Sequence, residues 1–265
     1  MECSLFMKLV GFKTGNIEKV GIFSNEKLIE INCSMIHALN SPDINEIEEV
    51  MTHDIEDVDI ISPLKPSKIV CVGLNYKDHA KELDMEIPTE PIIFIKPSTT
   101  VVGHLDTILY PKTSAHVEYE AELGIVISKE AHKVDKNNAH EVIGGYTVVN
   151  DVTARDLQKK DVQWTRAKSF NTFAPIGPCI ETDIDPMNLN ISLKLNSELK
   201  QNSNTKNMIF NVNELVEFIS DIMTLLPGDI ISTGTPPGVG PMHIGDNVEI
   251  EIEGIGKLKN YLKSA

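Results

Sequence analysis

The stretch Val117-Glu118-Tyr119-Glu120-Ala121-Glu122-Leu123-Gly124-Ile125-Val126-Ile127 constrains this chain more than any other. β-branched and aromatic residues alternate with polar ones at period two, the pattern of a strand. Tyr119, Ala121, Leu123 and Ile125 fall on one face, and Glu118, Glu120 and Glu122 on the other. Carboxylates at i and i+2 lie about 6.6–7 Å apart at ~3.3 Å rise per residue. At an effective dielectric near ~20 each such pair repels by about 2–3 kcal/mol. Bulk water screens much of that repulsion, whereas a strand facing a pocket needs protonation or a cation. The stretch is therefore either an amphipathic edge strand with a solvated acidic face, or part of a divalent-cation site completed by a third carboxylate. The candidate third ligand is Asp151, which ends a strand-like run over 144–151. Oxygen-only ligands suit Mg²⁺, Mn²⁺ or Ca²⁺ over zinc, and three carboxylates with room for water and substrate suit Mg²⁺ or Mn²⁺ best.

The rest of the composition narrows the partners. Lys+Arg 24 against Asp+Glu 39 gives a net charge of −15, which argues against nucleic acid or an anionic membrane. An acidic substrate would need local positive charge or a metal to enter such a field. The cysteines Cys3, Cys33, Cys71 and Cys179 have no pair spacing, so reduced thiols in a cytoplasmic protein are expected instead of a zinc or disulfide framework. Neither a signal-peptide apolar region nor a membrane-length apolar run is present in the sequence.

Along the chain, strand-like pieces at 7–12, 19–23 and 28–31 and a helix predicted over 43–51 suggest a small N-terminal domain over 1–62. The run Ser62-Pro63-Leu64-Lys65-Pro66 closes it, because two prolines break regular structure. A catalytic domain is expected over 66–265. Residues 68–72 read as a buried strand, and 73–83 turn from loop into a short helix. Three residues apart on that helix, Glu82 can reach the ring of His79. A carboxylate bonded to one imidazole nitrogen leaves the other basic, as a water-activating base requires; the alternative is an incidental pair on an exposed helix. Strands are expected at 91–97 and 101–103. Residues 153–159 are helical in propensity, and Arg155 and Gln158 share a face near Asp151. Arg155 either forms a salt bridge with Asp151 or a surface acid, or offers a fork to a substrate carboxylate. Lys168 taken alone reads as solvated surface.

Residues 190–195 alternate as a strand, 196–207 read as a polar hairpin connection, and 211–226 as the clearest helix. Its predicted buried stripe is Leu215, Phe218, Ile219, Ile222, Met223 and Leu226, stopped by Pro227-Gly228. The loop Gly234-Thr235-Pro236-Pro237-Gly238-Val239-Gly240-Pro241 lacks the Lys-Ser/Thr pair and helix of a phosphate loop. It reads as a stiff loop presenting backbone amides and the Thr235 hydroxyl. Strands at 248–252 and 257–262 close the chain. Strands dominate, so the class is α+β, mainly β, with few helices.

Four blocks together resemble the fumarylacetoacetate hydrolase family: Gly73-Leu74-Asn75-Tyr76-Lys77-Asp78-His79-Ala80-Lys81-Glu82, Tyr119-Glu120-Ala121-Glu122-Leu123-Gly124, Asn150-Asp151-Val152-Thr153-Ala154-Arg155-Asp156-Leu157-Gln158 and Gly234-Thr235-Pro236-Pro237-Gly238-Val239-Gly240. Lys168-Ser169-Phe170 fits the block between the last two, and order and spacing agree over 66–262. The N-terminal segment looks like the variable small domain of longer members. The resemblance implies a mixed β-roll, usually a homodimer, with Mg²⁺ or Mn²⁺ held by Glu120, Glu122 and Asp151 and with Glu118 outside the ligand set. It also implies that His79 and Glu82 form a water-activating dyad on a lid helix. Arg155, Gln158, Lys168 and Thr235 match positions that hold the carboxylate and oxo groups of a small 2-oxo acid. Asn171 departs from the Asp many members carry there.

The function so implied is hydrolysis of a C–C bond in an acylpyruvate-type 2-oxo acid, with Lys168 offsetting developing negative charge. A decarboxylase, isomerase or dehydratase acting on a 2-oxo (di)acid at the same site is the alternative. A non-catalytic metal-stabilised β-protein, the third reading, leaves the dyad and the Thr235 loop without a task.

Overall fold

Most apolar runs become strands of one extended sheet in the computed structural model, which describes residues 7–24, 26–41 and 47–265. The acidic strand lies in its interior. Ala121–Ile127 pairs antiparallel with Ile143–Asn150 on one side and Ile230–Ser232 on the other, and every residue of it is buried. The solvated edge-strand reading is thereby excluded. Beyond Ile230–Ser232 the sheet continues through Lys68–Gly73, parallel to it, and ends at Ile92–Pro97. In the other direction it passes through Ala174–Glu181 to Lys8–Thr14 and the N-terminal strands. The N-terminal segment therefore extends the same sheet, joined by the pairs Lys8↔Glu181 and Leu9↔Ile180.

Period two sorts the acidic strand between two cores. Leu123, Ile125 and Ile127 pack with Ile191, Leu193, Val248 and Leu258 of a second, five-stranded sheet, whereas Val126 packs with Leu9, Ile69, Val149 and Ile176. The strand is interrupted at Glu120. Before it, Val117–Tyr119 leaves the main sheet to pair with Thr153–Ala154 and Gly240–Met242. Glu120 thus stands where the chain passes from one sheet to another, a place with room for side chains to converge.

Three local expectations are corrected. Of the helix predicted over 43–51, residues 43–46 lie outside the described residues, and Glu49–Asp54 is a strand on Lys27–Ile31. Pairing to an available sheet edge overrides the helix propensity of Glu and Met there. The polar connection over 196–207 is mostly the strand Glu198–Asn204, because Asn196 and Ser197, at φ 51° and 70°, make a tight turn. The long helix spans only Val212–Ile222, capped by a reciprocal Asn211–Glu214 box. Its buried face is Val212, Leu215, Val216 and Ile219, while Phe218 is partly buried and Ile222 and Leu226 are exposed. Met223 is already extended, so that Leu225 can pair with Ala131.

Candidate active site

Strand register assembles the acidic centre. Ala121 lies opposite Asn150, so the next residue, Asp151, meets Glu120, and its amide donates to the Glu120 carbonyl at 2.9 Å. Glu120 and Glu122 share a face, and carboxylate oxygens of Glu120, Glu122 and Asp151 all lie within 4.8 Å of one another. All three residues are buried. Lys168 Nζ bridges two of them, donating to Asp151 Oδ2 at 2.6 Å and Glu120 Oε2 at 3.0 Å. Lys168 is 2% exposed, so the solvated-surface reading of it is wrong; the carboxylates supply the partners a buried ammonium needs.

Arg155 does not pair with Asp151; it pairs with the partly exposed Glu118 and the buried Glu120. Its Nε donates to Glu118 Oε2 at 2.6 Å, one terminal nitrogen contacts Glu120 Oε1, and the other donates to Gln158 Oε1 at 2.5 Å. Three of a guanidinium's five N–H donors are engaged in this way, which leaves two for a ligand. Glu118 also meets His116 Nε2 at 2.8 Å and so faces Arg155 and His116.

The charges are unevenly shared. Burial raises the pKa of Glu120, but Lys168 and Arg155 outweigh it and hold the group at about 2. Glu122 accepts from Ser232 Oγ at 2.5 Å and from the Gly234 amide at 2.9 Å. Burial first, then the charges of Asp151 and Glu120, push it up to about 8. Burial works against the charged form of Lys168, but Asp151 and Glu120 raise it above the ordinary lysine value. Four carboxylates (Glu118, Glu120, Glu122, Asp151) thus face three cations (Lys96, Arg155, Lys168), and the deficit falls on Glu122. That deficit and an all-oxygen donor set fit a hard divalent cation.

Across the cleft, the short helix Lys77–Glu82 brings His79 Nδ1 within 2.8 Å of Glu82 Oε2. With the proton on Nδ1, Nε2 remains the basic nitrogen. Glu82 also accepts from the Gly238 amide at 3.1 Å, which ties the helix to the Gly/Pro loop. At the loop's start, the Gly234 amide holds Glu122 and Thr235 Oγ1 accepts from Gln201 Nε2 at 2.8 Å. His79, Glu120, Glu122, Arg155, Gln158, Lys168 and Thr235 all line one cleft of about 330 Å³. Its other wall is apolar, formed by Leu83, Met85, Ile92, Phe94 and Trp164, the last two packed edge to face.

Two functional contributors escaped the sequence reading. Lys96 is fully buried with its Nζ against Asp151; a lysine inside the apolar run 92–96 was the available signal, since buried lysines are almost always paired. Gln201 holds both Thr235 and the Ala121 amide, and it sits in a polar stretch that carried no signal.

Comparison with known proteins shows the family. The model of the fumarylacetoacetate (FAA) hydrolase C-terminal family matches residues 68–263. An uncharacterized protein of Methanocaldococcus jannaschii is 64% identical over 203 residues, covering 77% of this chain and 86% of that one. The mitochondrial oxaloacetate tautomerase FAHD2B of Bos taurus is 43% identical over 217 residues, 77% of this chain and 69% of its own. Among solved structures, the 2-hydroxyhepta-2,4-diene-1,7-dioate isomerase of Mycobacterium marinum superposes with a TM-score of 0.89 at 39% identity, over 97% of this chain and 98% of that one.

Proposed function

The chain belongs to the fumarylacetoacetate hydrolase family, and from that premise we propose that it hydrolyses a C–C bond in an acylpyruvate-type 2-oxo acid with the help of Mg²⁺ or Mn²⁺. The observation that carries this reading is that Glu120 and Glu122, two members of the buried acidic trio, line one cleft with His79, whose ring Glu82 holds. Glu120, Glu122 and Asp151 would hold the cation, which when bound supplies Lewis-acid stabilisation of negative charge on the 2-oxo acid. The free donors of Arg155, together with Gln158 and Thr235, hold the substrate's carboxylate and oxo oxygens. His79 Nε2 takes a proton from water, and Glu82 keeps the imidazole in the tautomer that permits this. Lys168 offsets the negative charge that develops when the bond breaks. The apolar wall of Leu83, Met85, Ile92, Phe94 and Trp164 accepts the acyl tail.

A second reading is favoured by the two named relatives, which are a tautomerase and an isomerase. There His79 moves a proton on the substrate and no water attacks. A panel of acylpyruvates, oxaloacetate and hydroxymuconate-type diacids, assayed with Mg²⁺ and Mn²⁺, separates the two. Release of pyruvate from acylpyruvates supports hydrolysis; keto–enol conversion without cleavage supports the second reading.

The catalytic role is assigned to 66–265, since every residue named above lies there, with 1–62 as a small N-terminal unit. A homodimer in the cytoplasm completes the proposal. The edge strand Ile92–Pro97, whose Ile95 is 42% exposed, supports a partner there. Among the described residues, Cys33, Cys71 and Cys179 are free and no helix is long and apolar enough to cross a membrane.

A further inference from the structure

Two buried lysines share one carboxylate. Lys96 Nζ contacts Asp151 Oδ1 and donates to the carbonyls of Val152 at 3.1 Å and Phe173 at 2.5 Å. Lys168 Nζ takes the other oxygen, Oδ2, and Glu120 Oε2. An ammonium has three donors and no acceptor. All three of Lys96's are used, its side chain is fully buried, and it is not among the residues lining the cleft. Lys168 keeps one donor and lines the cleft beside Phe94, whose ring centre is 4.8 Å from Nζ. One lysine is thus placed to meet substrate and the other is not. An apolar side chain would fill position 96 without the desolvation cost of a buried charge, so the ammonium is best explained by what it holds.

We infer that Lys96 is a positioning residue that makes Asp151 a one-oxygen ligand and thereby sets the site's ion preference. Lys96, buried away from the cleft, occupies Oδ1, so the oxygen left to a cation is Oδ2, which Lys168 at the cleft also contacts. Ca²⁺ takes six to eight oxygens and readily accepts both oxygens of a carboxylate, whereas Mg²⁺ demands a small octahedron. Restricting Asp151 to one oxygen favours the smaller ions. Through the Phe173 carbonyl the same ammonium also anchors the loop that follows Lys168. The inference rests on the reading of the acidic trio as a metal site.

The test is isothermal titration of the metal-stripped full chain with Mg²⁺, Mn²⁺ and Ca²⁺, for wild type, Lys96→Met and Lys96→Arg, with folding checked by circular dichroism. Lys96→Met is expected to bind Mg²⁺ about 10–100-fold more weakly, the usual effect of losing a group that orients a ligand. Its affinity for Ca²⁺ relative to Mg²⁺ should rise by about tenfold or more, and Lys96→Arg should restore the wild-type ratio. An unchanged ratio in Lys96→Met, with only the thermal stability lowered, would make Lys96 a packing element and overturn this inference alone. Should Lys96→Met not fold, the wild type decides: Mn²⁺ bound more tightly than Ca²⁺ supports the one-oxygen ligand, and the reverse order contradicts it. A wild type that binds no divalent ion overturns the metal site and this inference together.

Discussion

Glu118 and Glu120 stand two residues apart on one strand face and have different partners. Glu118 meets Arg155 and His116; Glu120 meets Arg155, Lys168 and the other two acids. Glu120→Ala, like Glu122→Ala and Asp151→Ala, should abolish Mg²⁺-dependent activity and metal-induced thermal stabilisation. Glu118→Ala should keep metal binding and raise KM, because Arg155 loses the carboxylate that orients it. Equal loss of metal binding in both would show that the ligand register is misassigned. At the dyad, His79→Ala should lower kcat about 10²–10⁴-fold, the usual worth of a positioned general base, and Glu82→Gln less, since the imidazole remains. Steady-state kinetics on an acylpyruvate checks this, and a loss within about threefold, roughly 0.7 kcal/mol, removes His79 from that role. The sequence made the acids and the dyad legible because their contacts are local or follow strand alternation. Lys168 and Lys96 were not legible as buried cations, because their partners come from strands distant in sequence.

The elements hold these groups through a few specific contacts. Gly238 has φ +95°, and a Cβ there would meet the Lys200 carbonyl oxygen at 2.1 Å. Gly238→Ala must therefore move the loop whose amide holds Glu82. Displacements of ~1 Å in such a positioning contact cost about 10²-fold in rate, so kcat should fall by that order while Mg²⁺ affinity, read by titration, stays near wild type.

Asp229 fixes the parallel start of two strands by accepting from the Ser67 hydroxyl and amide, the Lys68 amide and the Leu226 amide, and by pairing with Lys68 Nζ. Burial raises its pKa, but Lys68 and Ser67 outweigh it and depress it below the usual 3.8. A depressed carboxyl contributes stability that is present above the unfolded value and lost as pH falls through the folded one. Asp229→Ala should cost about 3–5 kcal/mol at neutral pH in urea denaturation, with the gap to wild type narrowing below about pH 4. A gap that is constant on acidification would contradict the ion-pair account. Element type was legible wherever period two or a cap was clear, as in Ala121–Ile127 and the start of Val212–Ile222. It failed at Glu49–Asp54 and Glu198–Asn204, polar strands whose pairing partners decide their state.

For the whole molecule, sheet order was beyond the sequence, because it depends on crossovers such as the return of Ile230–Ser232 beside Lys68–Gly73. That order is what closes one cleft over residues from four separate blocks. We propose that this cleft performs metal-dependent, water-dependent C–C cleavage of a 2-oxo acid. Proton NMR of an acylpyruvate incubated with EDTA-stripped protein, before and after Mg²⁺ is restored, tests it most directly. The stripped protein should give no turnover, and the Mg²⁺-restored protein should give pyruvate and the free acyl acid in equal amounts. Full cleavage by the stripped protein, or keto–enol exchange without cleavage in the restored one, would contradict it.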